Sequence, residues 1–223
     1  MKLLTKANIA MLSAEFFGAI LLVMMFLVLT HATTAAYFVA TSVAATMGVI
    51  YVMFSAVSGA HANPAVTFGM WTARKIGTVR GIAYIIAQVL GGYVAWQLYQ
   101  YLIDTKLPKY AATSFDWRVF VAEMLGTLIF AMGFAAVVSR KYETLVGGLM
   151  LAGALFVGVL VAATAAHGYV NPAVALGLSN FHFDWAYILG PLAGGLVGVN
   201  LFNELYGSGS TWLSKVAPSK KRK

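Results

Sequence analysis

The tetrapeptide Asn63-Pro64-Ala65-Val66 returns as Asn171-Pro172-Ala173-Val174, at an offset of 108. Asn caps helix N-termini and Pro suits the first helical position, so each copy starts a helix with its orphan backbone N–H groups ahead of it. Neither helix can run far. About ten residues follow Asn63 before Arg74-Lys75 and about nine follow Asn171 before Asn180-Phe181-His182, enough for roughly half a bilayer at about 1.5 Å per residue. The pair is expected to be re-entrant half-helices. The alternative is two ordinary helix starts that happen to share four residues.

The surroundings decide between them. With 223 residues, 61% apolar and 10% charged, and a mean hydropathy of +0.81, the chain is too apolar for an ordinary soluble domain. Uninterrupted apolar stretches of twenty or more residues argue for membrane helices over barrel strands. Spans are expected at about 9–29, 36–57, 81–103, 118–138, 145–165 and 185–206, the first being retained because it is too long for a signal-peptide core. Zero cysteines exclude disulfides and thiolate metal sites. The net charge of +8 does not point to nucleic acid, because no basic run carries interleaved aromatics and most basic residues flank spans. With six spans both termini share a face, and of the 15 Lys and Arg only Lys106, Lys109 and Arg118 fall on the other, as expected for cytoplasmic termini.

The halves repeat. Ala14-Glu15-Phe16-Phe17-Gly18 matches Ala122-Glu123-Met124-Leu125-Gly126 at the same offset of 108 as the Asn-Pro-Ala copies. Three spans per half force the second half to enter the membrane from the opposite face, so the repeats are inverted and Asn63 and Asn171 meet near the midplane. The expected fold is an all-α membrane protein: six transmembrane helices plus two re-entrant half-helices in two inverted three-helix repeats. The first repeat takes residues 1–103, an external connector 104–117, the second repeat 118–206 and a basic cytoplasmic tail 207–223. Gly190, Gly194 and Gly198, with Gly91-Gly92, supply close helix contacts.

The chemistry follows from the backbone. Non-helical chain before each half-helix, 58–62 and 166–170, is tolerable at membrane depth only where it is buried or lines a wet cavity, and its carbonyls then form a ladder of acceptors. Asn63 and Asn171 can each cap a helix with the side-chain oxygen and keep the amide NH₂ as a donor toward the lumen. The two half-helix N-termini oppose cations. Glu15 and Glu123 sit inside spans, where a carboxylate is costly: they serve either as proton relays or, the preferred reading, as acceptors that prop the re-entrant loops. His61, His167 and Tyr169 are candidate pore-lining residues. A metal site from His167, His182 and Asp184 lacks any fixed ligand spacing, and none is expected.

Ala-Glu-x-x-Gly, Ser58-Gly59-Ala60-His61-Ala62-Asn63-Pro64-Ala65-Val66, Gly190-Pro191 and Gly194-Gly195 resemble the aquaporin, or major intrinsic protein, family over nearly the whole chain. The resemblance implies a passive pore for water or small uncharged solutes, no enzymatic activity, no cofactor, and a homotetramer with one pore per subunit. It places the pore motif at Asn63, Pro64, Ala65, Asn171, Pro172 and Ala173. Members of that family usually carry Arg after the second motif, where this chain has Val174; the other filter positions fall at Val43, Val159 and Gly168. Such a filter is expected to be wide and apolar, with room left at Gly168, unless Tyr169 or His167 closes it. Water, small neutral solutes and membrane lipid are the expected partners, and the cell (plasma) membrane the expected location. Alternatives are a glycerol, peroxide or gas facilitator, a proton-coupled transporter, and a structural membrane protein.

Overall fold

A computed structural model describes residues 5–33, 35–107, 114–179 and 184–207. The expected connector around Pro108, His182 and nearly all of the basic tail lie outside the described residues. Within them the regular structure is entirely helical: α1 (Lys6–Ala32), α2 (Ala36–Ser58), α3 (Pro64–Thr72), α4 (Thr78–Leu102), α5 (Trp117–Arg140), α6 (Thr144–Ala162), α7 (Pro172–Leu178) and α8 (Trp185–Tyr206). Six of these are long and apolar enough to cross a membrane, and the chain is an integral membrane protein. The helix starts follow local chemistry. Thr5, Asp116 and Asp184 each accept a backbone N–H from the first turn of α1, α5 and α8.

α3 has nine residues and α7 seven, so they measure about 13 and about 10 Å, each well short of the roughly 30 Å hydrocarbon layer. They are the two re-entrant half-helices. Within each repeat the first span packs on the second and third, α1 on α2 and α4, α5 on α6 and α8. Between repeats α2 packs on α6, and the half-helices cross over: α3 lies against α8 and α7 against α4. Each half-helix is thus clamped by the last span of the other repeat.

Glycine makes these contacts possible, because apolar lipid offers helices no hydrophobic drive to associate and close backbone packing must substitute. Gly190, Gly194 and Gly198 of α8 rest in turn on the carbonyls of Phe120, Met124 and Leu128 of α5, one helical turn apart on both helices. Gly91 of α4 rests on the carbonyl of Phe16 in the same way. Gly195 faces the carbonyl of Ala65 and Gly92 that of Ala173, so each half-helix begins directly against a glycine of the opposing span.

Candidate pore

The half-helices start where the repeat predicts, with Asn63 and Asn171 as caps. Asn63 Oδ1 accepts the Ala65 N–H at 2.8 Å and Asn171 Oδ1 the Ala173 N–H at 3.0 Å. The amide nitrogens cross between repeats. Asn63 Nδ2 donates to the Val170 carbonyl at 2.9 Å, and Asn171 Nδ2 donates to the Ala62 carbonyl at 3.0 Å. Both side chains are buried, so the two N-termini meet inside the bundle, joined by a reciprocal pair of hydrogen bonds.

One amide N–H of each Asn is therefore committed to protein, and so are two rungs of the expected carbonyl ladder. A third, Ser58, accepts the Tyr84 hydroxyl at 3.0 Å. The carbonyls of Gly59, Ala60 and His61 in the first loop, and of His167 and Gly168 in the second, have no hydrogen-bond partner among the described residues.

The loops are wound tightly. Ala60 (φ 54°), Ala62 (46°), Gly168 (72°) and Val170 (45°) lie in the left-handed region. For the non-glycine residues this costs on the order of 1–3 kcal/mol each, most for β-branched Val170. Such alternation turns successive N–H groups to one side and forms an anion-binding concavity. A carboxylate fills each one. Glu15 accepts His61 N–H at 3.0 Å and Ala62 N–H at 2.7 Å; Glu123 accepts Tyr169 N–H at 2.9 Å and Val170 N–H at 2.6 Å.

Beyond the backbone the two sites differ. Glu15 also accepts the Ser58 hydroxyl at 2.6 Å and Gln88 Nε2 at 2.7 Å; Gln88 Nε2 further donates to Thr67 Oγ1 at 3.0 Å, which meets His61 Nδ1 at 3.0 Å. In the second repeat the place equivalent to Gln88, 103 positions on, holds Pro191, which has no donor to offer. Ala175 replaces Thr67 there. The chain from His61 through Thr67 and Gln88 to Glu15 was not anticipated, although a Gln in the middle of an apolar span is itself a costly group that asks for a partner.

Two aromatic contacts repeat across the molecule. His61 meets Phe134 edge-on at 5.2 Å, and Tyr169 meets Phe26 edge-on at 6.0 Å, each ring two residues before its Asn and each Phe in the other repeat. Tyr84 packs against His61, while Tyr187 packs against Tyr169 and His167 and accepts the His167 N–H at 3.1 Å. His167 itself is exposed, stacked on Tyr169 at 5.3 Å.

Val43, Val159 and Val174 are all buried, at 0%, 1% and 1% exposure, in one apolar cluster with Phe26 and Tyr169. At Gly168 a Cβ would lie 2.8 Å from the Val159 carbonyl oxygen, and the φ of +72° is what calls for glycine.

Comparison with known proteins agrees with this architecture. The model of the major intrinsic protein family matches residues 2–202. The chain belongs to the major intrinsic protein family. Among relatives of this family member, Aquaporin TIP1-2 of Musa acuminata is 31% identical over 67% of this chain and 64% of its own length. Glycerol uptake facilitator protein 3 of Lactiplantibacillus plantarum is 31% identical over 73% of this chain and 78% of its own length. The chain spans about two thirds of the length of the first plant aquaporins it matches. In fold it is similar to the aquaglyceroporin from Plasmodium falciparum, with a TM-score of 0.70 and 22% identity over 94% of this chain and 99% of that one.

Proposed function

We propose that this family member is a passive channel for water and small uncharged solutes, its pore running past the junction of the two half-helices. The reading takes residues 1–103 and 118–206 as the inverted repeats, 104–117 as the connector and 207–223 as the tail. It takes both termini as cytoplasmic, the cell membrane as the location and a homotetramer as the assembly. One observation carries it: the reciprocal Asn63–Val170 and Asn171–Ala62 hydrogen bonds, flanked on both sides by carbonyls with no hydrogen-bond partner among the described residues.

A water arriving from either side meets carbonyl acceptors at Gly59 to His61 or at His167 and Gly168. At the centre it meets the remaining N–H of each Asn amide, a donor. A single file of water is then oriented oppositely on the two sides of the junction. Each half-helix adds roughly +0.5 charge at its N-terminus, so a cation loses hydration and meets repulsion together. In place of a guanidinium the constriction has Val43, Val159 and Val174, with Gly168, so charge exclusion rests on the half-helices and on desolvation. Glu15 and Glu123 serve as loop supports in this reading, both oxygens of each being taken by backbone N–H groups, which disfavours a proton-coupled cycle.

Stopped-flow light scattering of proteoliposomes tests it, under osmotic and then solute gradients, with and without a pH gradient. Water flux well above empty vesicles and indifferent to the pH gradient is expected. Flux driven by pH would sink the channel reading, and no flux would favour a structural role. A glycerol gradient decides whether the resemblance to glycerol facilitators extends to solute.

A further inference from the structure

On the face of the bundle where the described N-terminus lies, the turn from α3 into α4 walls an open pocket of about 590 Å³ lined by Trp71, Thr72, Arg74, Lys75, Ile76, Gly77 and Thr78. Arg74 and Lys75 are exposed, and so is Arg80 one turn into α4. Among the described residues the only ion pair is Arg118 with Asp116 at the other end of the molecule, so no described carboxylate neutralises these three cations. Trp71 is fixed at the mouth by its indole N–H, which donates to Thr78 Oγ1 at 3.0 Å. A second, narrow groove of about 40 Å³ lies between α1 and the start of α4, its lining beginning at Val79, next in sequence to Thr78 of the first pocket. Its walls are mainly apolar, Met11 and Leu12 of α1 with Val79 and Ala83 of α4, and Asn8, Arg80 and Tyr84 complete the lining.

We infer that this is a binding site for an anionic phospholipid, with the headgroup phosphate among Arg74, Lys75 and Arg80 and one acyl chain in the groove between α1 and α4. Span-flanking cations that only set topology need no pocket, and they need no apolar groove beside them. A soluble anion would use the basic pocket and leave the groove empty. A zwitterionic lipid would bring its own cation against three others. The indole of Trp71, apolar in body and polar at its N–H, suits the level of the glycerol backbone. The site rests on the membrane location of the six spans and not on what the pore passes, so a failed permeability test leaves it standing.

Native mass spectrometry of the purified full chain in detergent tests it, with phosphatidylglycerol or phosphatidylcholine of matched acyl chains, and with inorganic phosphate as competitor. Phosphatidylglycerol should be retained preferentially. Arg74→Gln, Lys75→Gln and Arg80→Gln should each lower that retention about fivefold. Lys141→Gln, on the same face but outside the pocket, should leave it unchanged, and Ala83→Phe, which fills the groove, should weaken it while the three cations remain. Equal retention of the two lipids would overturn the site, as would loss of retention in Lys141→Gln matching that in the pocket variants. Displacement by phosphate at matched concentration, or indifference to Ala83→Phe, would show a bare anion site and overturn the lipid assignment.

Discussion

At the scale of single residues, each central Asn does two jobs that substitution can separate. Asn171→Asp keeps an oxygen to cap α7 but loses the donor to the Ala62 carbonyl and sets an anion against that acceptor. Asn171→Ala loses both. The cap is worth about 1 kcal/mol and an orphaned buried carbonyl about 1–3 kcal/mol, so both variants should lower thermal stability in detergent and reduce water flux. Wild-type values in the Asp variant would mean that the crossing hydrogen bond contributes nothing. The caps were legible because capping is local. The crossing bonds were not, since they join residues more than 100 positions apart and depend on loop conformation. A different residue offers the opposite sign. Thr127 is fully buried and its hydroxyl has no partner among the described residues, so Thr127→Val, which keeps the shape, should be neutral or stabilising by up to roughly 2 kcal/mol, read as a rise in melting temperature.

At the scale of helices, stability is set by which backbones touch. The stripe of Gly190, Gly194 and Gly198 could be read from sequence as a contact face, but not that it fits the Phe120, Met124 and Leu128 carbonyls in register. Gly195, one residue off the stripe, turns to α3 instead, and an added Cβ would collide with Ala65 backbone. Gly195→Ala should therefore push α3 off α8 and lower the yield of folded protein, because backbone on both sides leaves nothing flexible to yield. Gly153 of α6 is the contrast: nothing lies within 4 Å of its would-be Cβ. Gly153→Ala should leave flux unchanged and raise stability by about 0.5–1 kcal/mol through helix propensity. Melting of both variants by fluorescence in detergent checks the pair.

At the scale of the whole molecule, the two halves match at two offsets. Asn63 and Asn171, Glu15 and Glu123, and His61 and Tyr169 are each 108 apart, whereas Tyr84 with Tyr187 and the close-packed Gly92 with Gly195 are 103 apart. A search at the first offset finds the motifs and misses the third span of each repeat. For that reason the spans, whose boundaries fall within three residues of expectation, were legible while Gln88, Tyr84 and Tyr187 were not. The reason for glycine at position 168 was not legible either, because the Val159 carbonyl that a Cβ would meet is brought there only by the fold. The chain has no cysteine, so mercurials should leave its water flux unaffected, and any introduced cysteine becomes a clean probe. His61 and Tyr169 hold equivalent places, each two residues before its Asn on loops that enter from opposite faces. In His61→Cys and Tyr169→Cys the smaller side chain opens the loop to the lumen. A membrane-impermeant thiol reagent applied outside oriented vesicles or cells should block Tyr169→Cys alone, and the same reagent sealed inside should block His61→Cys alone. Block of both from one side would show that the two loops share an entrance, which an inverted repeat with a central constriction at Asn63 and Asn171 does not allow.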